Sequence, residues 1–101
     1  MKLEQFCVEF SDMWQNYDYL SEKGYQGGGA TWECLAESII STQAPELATE
    51  IRLDGESDCL AIWSSSQTAL DKMMRLIGET NADRTKLDAM IAHASANGYL
   101  E

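Results

Sequence analysis

Between residues 31 and 41, apolar side chains recur with the period of an α-helix. They occupy positions i, i+3, i+4, i+7 and i+8, and they are Trp32, Leu35, Ala36, Ile39 and Ile40. This pattern is typical of a helix that buries one face. Thr31 is a suitable N-cap, and the helix dipole favours Glu33 in the first turn. We therefore predict a helix from Thr31 to about Ser41, with Glu33 and Glu37 exposed beside its apolar face.

Two further helices are predicted in the last third of the chain. One runs from about Gln67 to Glu79, after possible caps in the serines at 64–66. The other runs from about Asp83 to Ser95, and Asn97-Gly98 forms its stop. Their predicted inward residues are Leu70, Met73, Met74, Ile77, Leu87, Met90, Ile91 and Ala94. The methionines among them fit core spacing and need no cofactor to explain them.

The beginning of the chain fits two patterns. Helical spacing relates Leu3, Phe6, Phe10, Met13, Trp14 and Tyr17. However, Phe6, Val8 and Phe10 also alternate as in a half-buried strand. The aromatic and β-branched content favours a strand over Gln5–Phe10. A helix from about Asp12 to Glu22 then follows, with Ser11-Asp12 as its N-cap.

Two segments in the middle of the chain have strand patterns. Ile51 and Leu53 alternate with Arg52 within Glu50–Asp54, and the continuous apolar run within Cys59–Ser64 suggests a strand covered on both faces. The residues between them, 54–58, have turn chemistry. The resulting order of elements predicts one domain over residues 1–101. Its fold class is α+β, with a small, mostly antiparallel sheet of about three strands packed with about four helices.

Four of the seven glycines lie between the first two predicted helices, at Gly24, Gly27, Gly28 and Gly29. Glycine is used where the backbone takes a positive φ or passes close to another group. The segment lacks the lysine of a P-loop and the glycine spacing of a dinucleotide site, and the surrounding carboxylates disfavour a bound anion. We therefore interpret these glycines, together with Trp32, as a structural loop packed on the core.

Net charge changes the functional picture. The protein has a formal charge of −10, and the first 60 residues carry twelve Asp and Glu against three Lys and Arg. Such a chain repels nucleic acid and anionic membranes, so neither is expected as a partner. It attracts basic proteins through fast, salt-sensitive association. Simple solubility is the alternative explanation for the charge, and composition alone does not separate the two.

Other compositional features point to the cytoplasm. No apolar run approaches the length needed to cross a bilayer, and the N-terminus lacks the layout of a secretory signal. Cys7, Cys34 and Cys59 are odd in number and lack C-x-x-C spacing, as is typical of reduced thiols.

No catalytic or metal-binding motif is present. His93 is the only histidine and has no cysteine at ligand spacing, so zinc is not expected. The alternating carboxylates of Asp54, Glu56 and Asp58 lack the glycine and the glutamate of an EF-hand at its later positions. The sequence therefore predicts a protein without catalytic residues, metal or cofactor.

The order of these features resembles the Immunity protein 51 family. The resemblance is carried by the glycine-rich loop and helix start at 24–36, by 44–47, by 51–54 with Glu56, and by 64–70. It covers roughly Gly24 to Ile77. Membership implies a bacterial cytosolic protein that binds and neutralises a cognate polymorphic toxin. Many such toxins degrade nucleic acid and are basic around their active sites.

An acidic inhibitor can place carboxylates where the phosphates of nucleic acid would bind. We hypothesise that such a partner surface uses Tyr25 as an aromatic anchor and the carboxylates of Glu33, Glu37, Asp54, Glu56 and Asp58. For each carboxylate the alternative is a solvated charge. The alternative function is a small acidic adaptor that binds a basic host protein, and an enzyme acting on a cationic substrate ranks third. The oligomeric state stays open.

Overall fold

The computed structural model describes residues 5–100 and contains one antiparallel sheet packed with helices. The strands are β1 (Phe6–Phe10), β2 (Arg52–Gly55) and β3 (Leu60–Ser64). The helices are α1 (Tyr17–Glu22), α2 (Gly29–Gln43), α3 (Gln67–Ala82) and α4 (Arg84–Ala96). Short 3₁₀ segments at Trp14–Asn16 and Pro45–Thr49 precede α1 and β2, respectively. The predicted α+β fold class is confirmed.

The sheet has the order β1-β3-β2, so β3 is hydrogen-bonded along both of its edges. On the inner face, Val8 and Leu53 lie opposite Ile62, and the helices α2 and α3 pack against this face. On the outer face, Trp63 lies between Cys7 and Arg52. The next row on the outer face consists of Glu9, Ala61 and Asp54.

The prediction that β3 is covered on both faces is wrong. Its inner residues, Leu60 and Ile62, are fully buried, but Ala61 and Trp63 on the outer face are only half-buried. The continuous apolar run reflects the central position of the strand in the sheet. Among residues 5–100 no helix covers the outer face, and the guanidinium of Arg52 lies over the Trp63 ring instead, with Cζ 5.2 Å from the ring centroid.

The core lies between the inner face of the sheet and the three long helices. Its largest fully buried side chain is Trp32, which meets Phe10 edge to face at a ring centroid distance of 4.9 Å. The core members contributed by α2, α3 and α4 lie at helical spacing, as the sequence pattern predicted, and β1 and β3 contribute alternate residues. Among residues 5–100, no helix combines the length and apolar composition that crossing a bilayer requires.

The predicted helix over 12–22 is wrong in its first part. Residues 14–16 form a 3₁₀ turn, and the α-helix begins only at Tyr17. The cause is long-range: the side-chain amide of the buried Asn16 donates to the backbone and side-chain oxygens of Asn81, at 2.8 and 2.7 Å. Met13 enters the core next to this contact, which leaves Trp14 on the outside.

The start of α2 also differs from the prediction. Its N-cap is Gly28, and Thr31 lies in the first turn, where its Oγ1 accepts a hydrogen bond from the Gly27 amide at 3.0 Å. The starts of the other two long helices, α3 and α4, are capped by side chains. Ser66 Oγ accepts from the Ala69 amide at the start of α3, and Asp83 caps α4. The helix α3 continues to Ala82, beyond its predicted end at Glu79. Asp83 is then the single residue between α3 and α4.

Candidate functional site

The glycine-rich loop lies against the β2–β3 hairpin, backbone to backbone. A Cβ atom at Gly29 would lie 1.8 Å from the carbonyl oxygen of Glu56 and 2.2 Å from that of Cys59. A Cβ at Gly28 would lie 2.2 Å from the carbonyl oxygen of Ser57. These distances leave no space for a side chain, so the loop and the hairpin pack closely only because both residues are glycine. Gly24 and Gly27 instead take positive φ angles of 93° and 83°.

Glu33 makes a second connection between α2 and the hairpin. Its Oε1 accepts a hydrogen bond from the Gly55 amide at 2.6 Å, and the side chain is half-buried. The prediction that Glu33 is exposed is therefore wrong, because its carboxylate turns toward the end of β2. Glu37, one helical turn later, is exposed as predicted.

The hairpin presents the carboxylates of Asp54, Glu56 and Asp58, all of which are exposed. The structure adds Glu9, which lies on the outer face of β1. Ala61 of the central strand β3 lies between Glu9 and Asp54 in the same row across the sheet. Sequence reasoning missed Glu9 as a site residue. The alternation of Phe6, Val8 and Phe10 contained the signal. Successive side chains of a strand point to opposite faces, so Glu9 points outward because its neighbours Val8 and Phe10 point inward.

Three of these carboxylates act electrostatically on the thiol of Cys59, which directly follows Asp58. Desolvation is the largest cause that raises the pKa of this thiol, and the negative charges of Glu9, Asp58 and Glu56 raise it further. Carboxylates from β1 and from the turn between β2 and β3 therefore act on one position just before β3. They disfavour a thiolate there because it would add another negative charge.

Replacing Glu9 with Gln tests this arrangement. We expect the pKa of Cys59 to fall toward its ordinary value, because one neighbouring negative charge is lost. Its alkylation by iodoacetamide at mildly alkaline pH should become about two- to threefold faster, since the thiolate is the reactive form. Peptide mapping separates Cys59 from the exposed Cys7. Glu37→Gln is the matched control for the lost charge, and equal Cys59 rates in the two variants would contradict the arrangement.

Within residues 5–100, each positively charged side chain contacts either a carboxylate other than Glu9 and those of the hairpin or an aromatic ring. Lys72 pairs with Glu46, and both Arg75 and Lys86 pair with Glu79. The other three, Lys23, Arg52 and Arg84, lie over aromatic rings. No ion pair in this part of the chain involves a hairpin carboxylate or Glu9. We use the name acidic hairpin surface for the set of Glu9, Asp54, Glu56 and Asp58.

Tyr25 does not lie in the acidic hairpin surface. It is half-buried and lines a cleft of about 280 Å³ together with Thr31, Tyr99 and Leu100, among others. None of the hairpin carboxylates lines this cleft. The sequence-predicted residues therefore divide into the hairpin group, the half-buried Glu33, the neighbouring Glu37 on α2, and Tyr25 in a separate cleft.

A pair of aromatic residues was also missed as a candidate. Trp14 is 77% exposed and Tyr17 is 39% exposed, and their ring centroids are 5.6 Å apart. Both line a small notch of about 50 Å³. Ser57 and Asp58 of the hairpin also line this notch. The helical spacing of the first residues grouped Trp14 with core positions. Only the 3₁₀ turn and the burial of Met13 separate it from them.

His93, which sequence reasoning considered for zinc binding, contacts a buried serine. His93 is half-buried, and its Nδ1 lies 3.0 Å from Ser38 Oγ. Ser38 is fully buried within α2, so a substrate has no access to this hydroxyl. No group of three or more His, Cys, Asp and Glu side chains in residues 5–100 is arranged to hold a metal ion.

Comparison with known proteins gives one result. The family model described as Immunity protein 51 matches residues 2–96 of the chain. This match extends beyond the segment from Gly24 to Ile77 that carried the resemblance, and it includes β1, the 3₁₀ turn with Trp14, and α4. No curated protein and no solved structure matches the chain.

Proposed function

The chain belongs to the Immunity protein 51 family, and from this membership we propose that it neutralises a basic, nuclease-type toxin domain by binding it with the acidic hairpin surface. Toxin neutralisation is the function that the family name describes, and members generally act by binding a toxin rather than by catalysis. The chemical character of the toxin and the surface used are the proposed part. The proposed site of action is the bacterial cytoplasm.

The observation that carries the proposal is the unneutralised charge of the acidic hairpin surface. Four carboxylates lie together there, while the ion pairs within residues 5–100 use Glu46 and Glu79. Carboxylates that form no ion pair raise the negative potential of the surface and speed the approach of a basic partner. Glu37 is exposed one helical turn beyond Glu33, and we include it at the edge of the surface.

The geometry supports a preorganised surface. Gly28 and Gly29 pack against the hairpin backbone, and Glu33 accepts the Gly55 hydrogen bond. A hairpin held in this way loses little conformational freedom when it binds, which favours affinity. In this proposal Glu33 positions the hairpin, and the neighbouring carboxylates contact the toxin. Tyr25 contributes only if the partner also reaches the separate cleft.

Growth rescue tests the function itself. Bacteria express the toxic C-terminal domain encoded by the adjacent gene, with or without this protein. We expect the toxic domain to stop growth and co-expression to restore it. A toxic domain that well-expressed protein fails to counteract would overturn the proposal and favour the acidic adaptor.

Charge reversal tests the surface. Asp54→Lys, Glu56→Lys and Asp58→Lys should each weaken toxin binding by about tenfold or more at low salt, because each replaces an attraction with a repulsion. The loss should shrink as ionic strength rises. Isothermal titration calorimetry at two salt concentrations measures both effects.

Glu50→Lys is the matched control for charge reversal. Glu50 is exposed, lies before the opposite end of β2, and gives the same change in net charge. If this control weakens binding as much as the hairpin variants do, net charge rather than the acidic hairpin surface determines affinity.

A further inference from the structure

We propose that Trp14 and Tyr17, together with Asp58, form a docking point for an arginine or lysine side chain of the toxin. We call this set the aromatic notch. The inference rests on the proposed function, because it names the chemistry of the partner group that meets one part of the same surface. It adds two aromatic side chains, Trp14 and Tyr17, to the carboxylates of that surface.

Exposure is the first observation. Trp14 is 77% exposed, whereas Trp32 is fully buried and Trp63 is half-buried. Leaving an indole in water forfeits its large apolar contribution to folding, so its position needs another explanation. Tryptophan and tyrosine are enriched among the residues that dominate binding energy at protein interfaces.

The notch is also held rigidly. The Asn81 side chain donates to the Asp12 carbonyl at 2.9 Å, and the Asn16 side chain donates to Asn81. These contacts fix the chain on both sides of Trp14, and the buried Met13 anchors the position next to it. Behind the notch, Tyr17 lies so close to Gly27 that a Cβ there would be 3.1 Å from the Tyr17 ring. The two aromatic rings are therefore presented on a supported turn.

Two other aromatic rings of this chain, Tyr19 and Trp63, indicate which kind of side chain would bind over Trp14. Tyr19 has Arg84 and Lys23 over its ring, at 3.6 and 4.9 Å from the centroid. Trp63 has Arg52 at 5.2 Å. Trp14, the most exposed aromatic ring in residues 5–100, has no cation over it within that part of the chain. A cation from a partner would make the contact that the chain makes internally at Tyr19 and Trp63.

Charge selects the same occupant. Asp58 lines the notch and belongs to the acidic hairpin surface, and Asp12 and Asp18 flank the aromatic pair in the sequence. A cationic group above the Trp14 ring would interact with the electron-rich face of the ring and with the Asp58 carboxylate together. Such cation–π contacts are stronger where binding removes water. An anionic or purely apolar occupant would gain nothing from the carboxylate.

The test is the affinity of the 101-residue chain for the toxin domain that it neutralises. We expect Trp14→Ala to weaken binding by about tenfold or more. Trp14→Phe should recover most of the loss because it retains a ring face, whereas Trp14→Leu should recover little. Phe6→Ala is the matched control. Phe6 is also an exposed aromatic residue, at 40%, but it lies at the other end of the sheet, paired with Ser64.

Each outcome decides the inference. Trp14→Ala binding within about twofold of the unchanged chain, with the hairpin reversals still damaging, would overturn the aromatic notch and leave the proposed function intact. Equal recovery by Leu and Phe would overturn the cationic occupant. No neutralisation by the unchanged chain would overturn the proposed function and this inference with it. Thermal unfolding of each variant verifies that the exposed substitutions leave the fold unchanged.

Discussion

Gly29→Ala is expected to lower the free energy of unfolding by about 3 kcal/mol or more, a large part of the total stability of a domain of this size. The added Cβ would lie 1.8 Å from the Glu56 carbonyl oxygen and 2.2 Å from that of Cys59. Both atoms belong to the backbone, so no side-chain rotation relieves the overlap. The hairpin must move away from α2, which also removes the hydrogen bond between Gly55 and Glu33.

Urea unfolding followed by circular dichroism measures the loss, with Gly78→Ala as the control. Gly78 is exposed within α3, and a Cβ there meets no atom within 4 Å. Alanine at this position should stabilise the protein by about 0.5–1 kcal/mol, because it favours the helix. A Gly29→Ala protein as stable as the unchanged chain would show that the hairpin does not need this close approach.

The single variant Trp32→Ala should lower the free energy of unfolding by about 3–5 kcal/mol, because it removes the largest fully buried side chain. The loss includes the edge-to-face contact with Phe10, through which α2 meets β1. Circular dichroism is again the suitable probe, since fluorescence would change with the loss of the indole itself.

Trp32→Phe is the matched variant for this position. It keeps an aromatic ring beside Phe10 and removes the indole Nε1, which is buried and has no hydrogen-bond partner within residues 5–100. We therefore expect it to lose about half as much stability as Trp32→Ala, or less. Equal losses in the two variants would mean that the ring contact with Phe10 adds little to the core.

These two positions connect stability to the proposed function. Trp32 fixes α2 on the core, and Gly29, at the first turn of the same helix, fixes the hairpin on α2. A partial displacement there should reduce toxin binding before the protein unfolds completely. Binding by the Gly29→Ala protein at low temperature, compared with Asp58→Lys, would separate a displaced hairpin from a changed charge.

Local periodicity in the sequence was enough to predict most of the regular elements of this protein. Apolar residues three and four apart predicted α2, α3 and α4, and alternation predicted β1 and β2. Turn residues between two strand patterns placed Asp54, Glu56 and Asp58 on one hairpin. Each of these features is encoded within a few consecutive residues.

The contacts between residues distant in the sequence follow from the packing of the elements and could not be predicted from periodicity. Asn16 and Asn81 are far apart in the sequence, yet their contact delays the start of the predicted helix to Tyr17 and leaves Trp14 exposed. Glu33 turns from solvent to the Gly55 amide, and Glu9 joins the hairpin carboxylates across the sheet. The physical reason is that burial and hydrogen-bond partners depend on how the elements pack, and periodicity within one element carries no information about its neighbours.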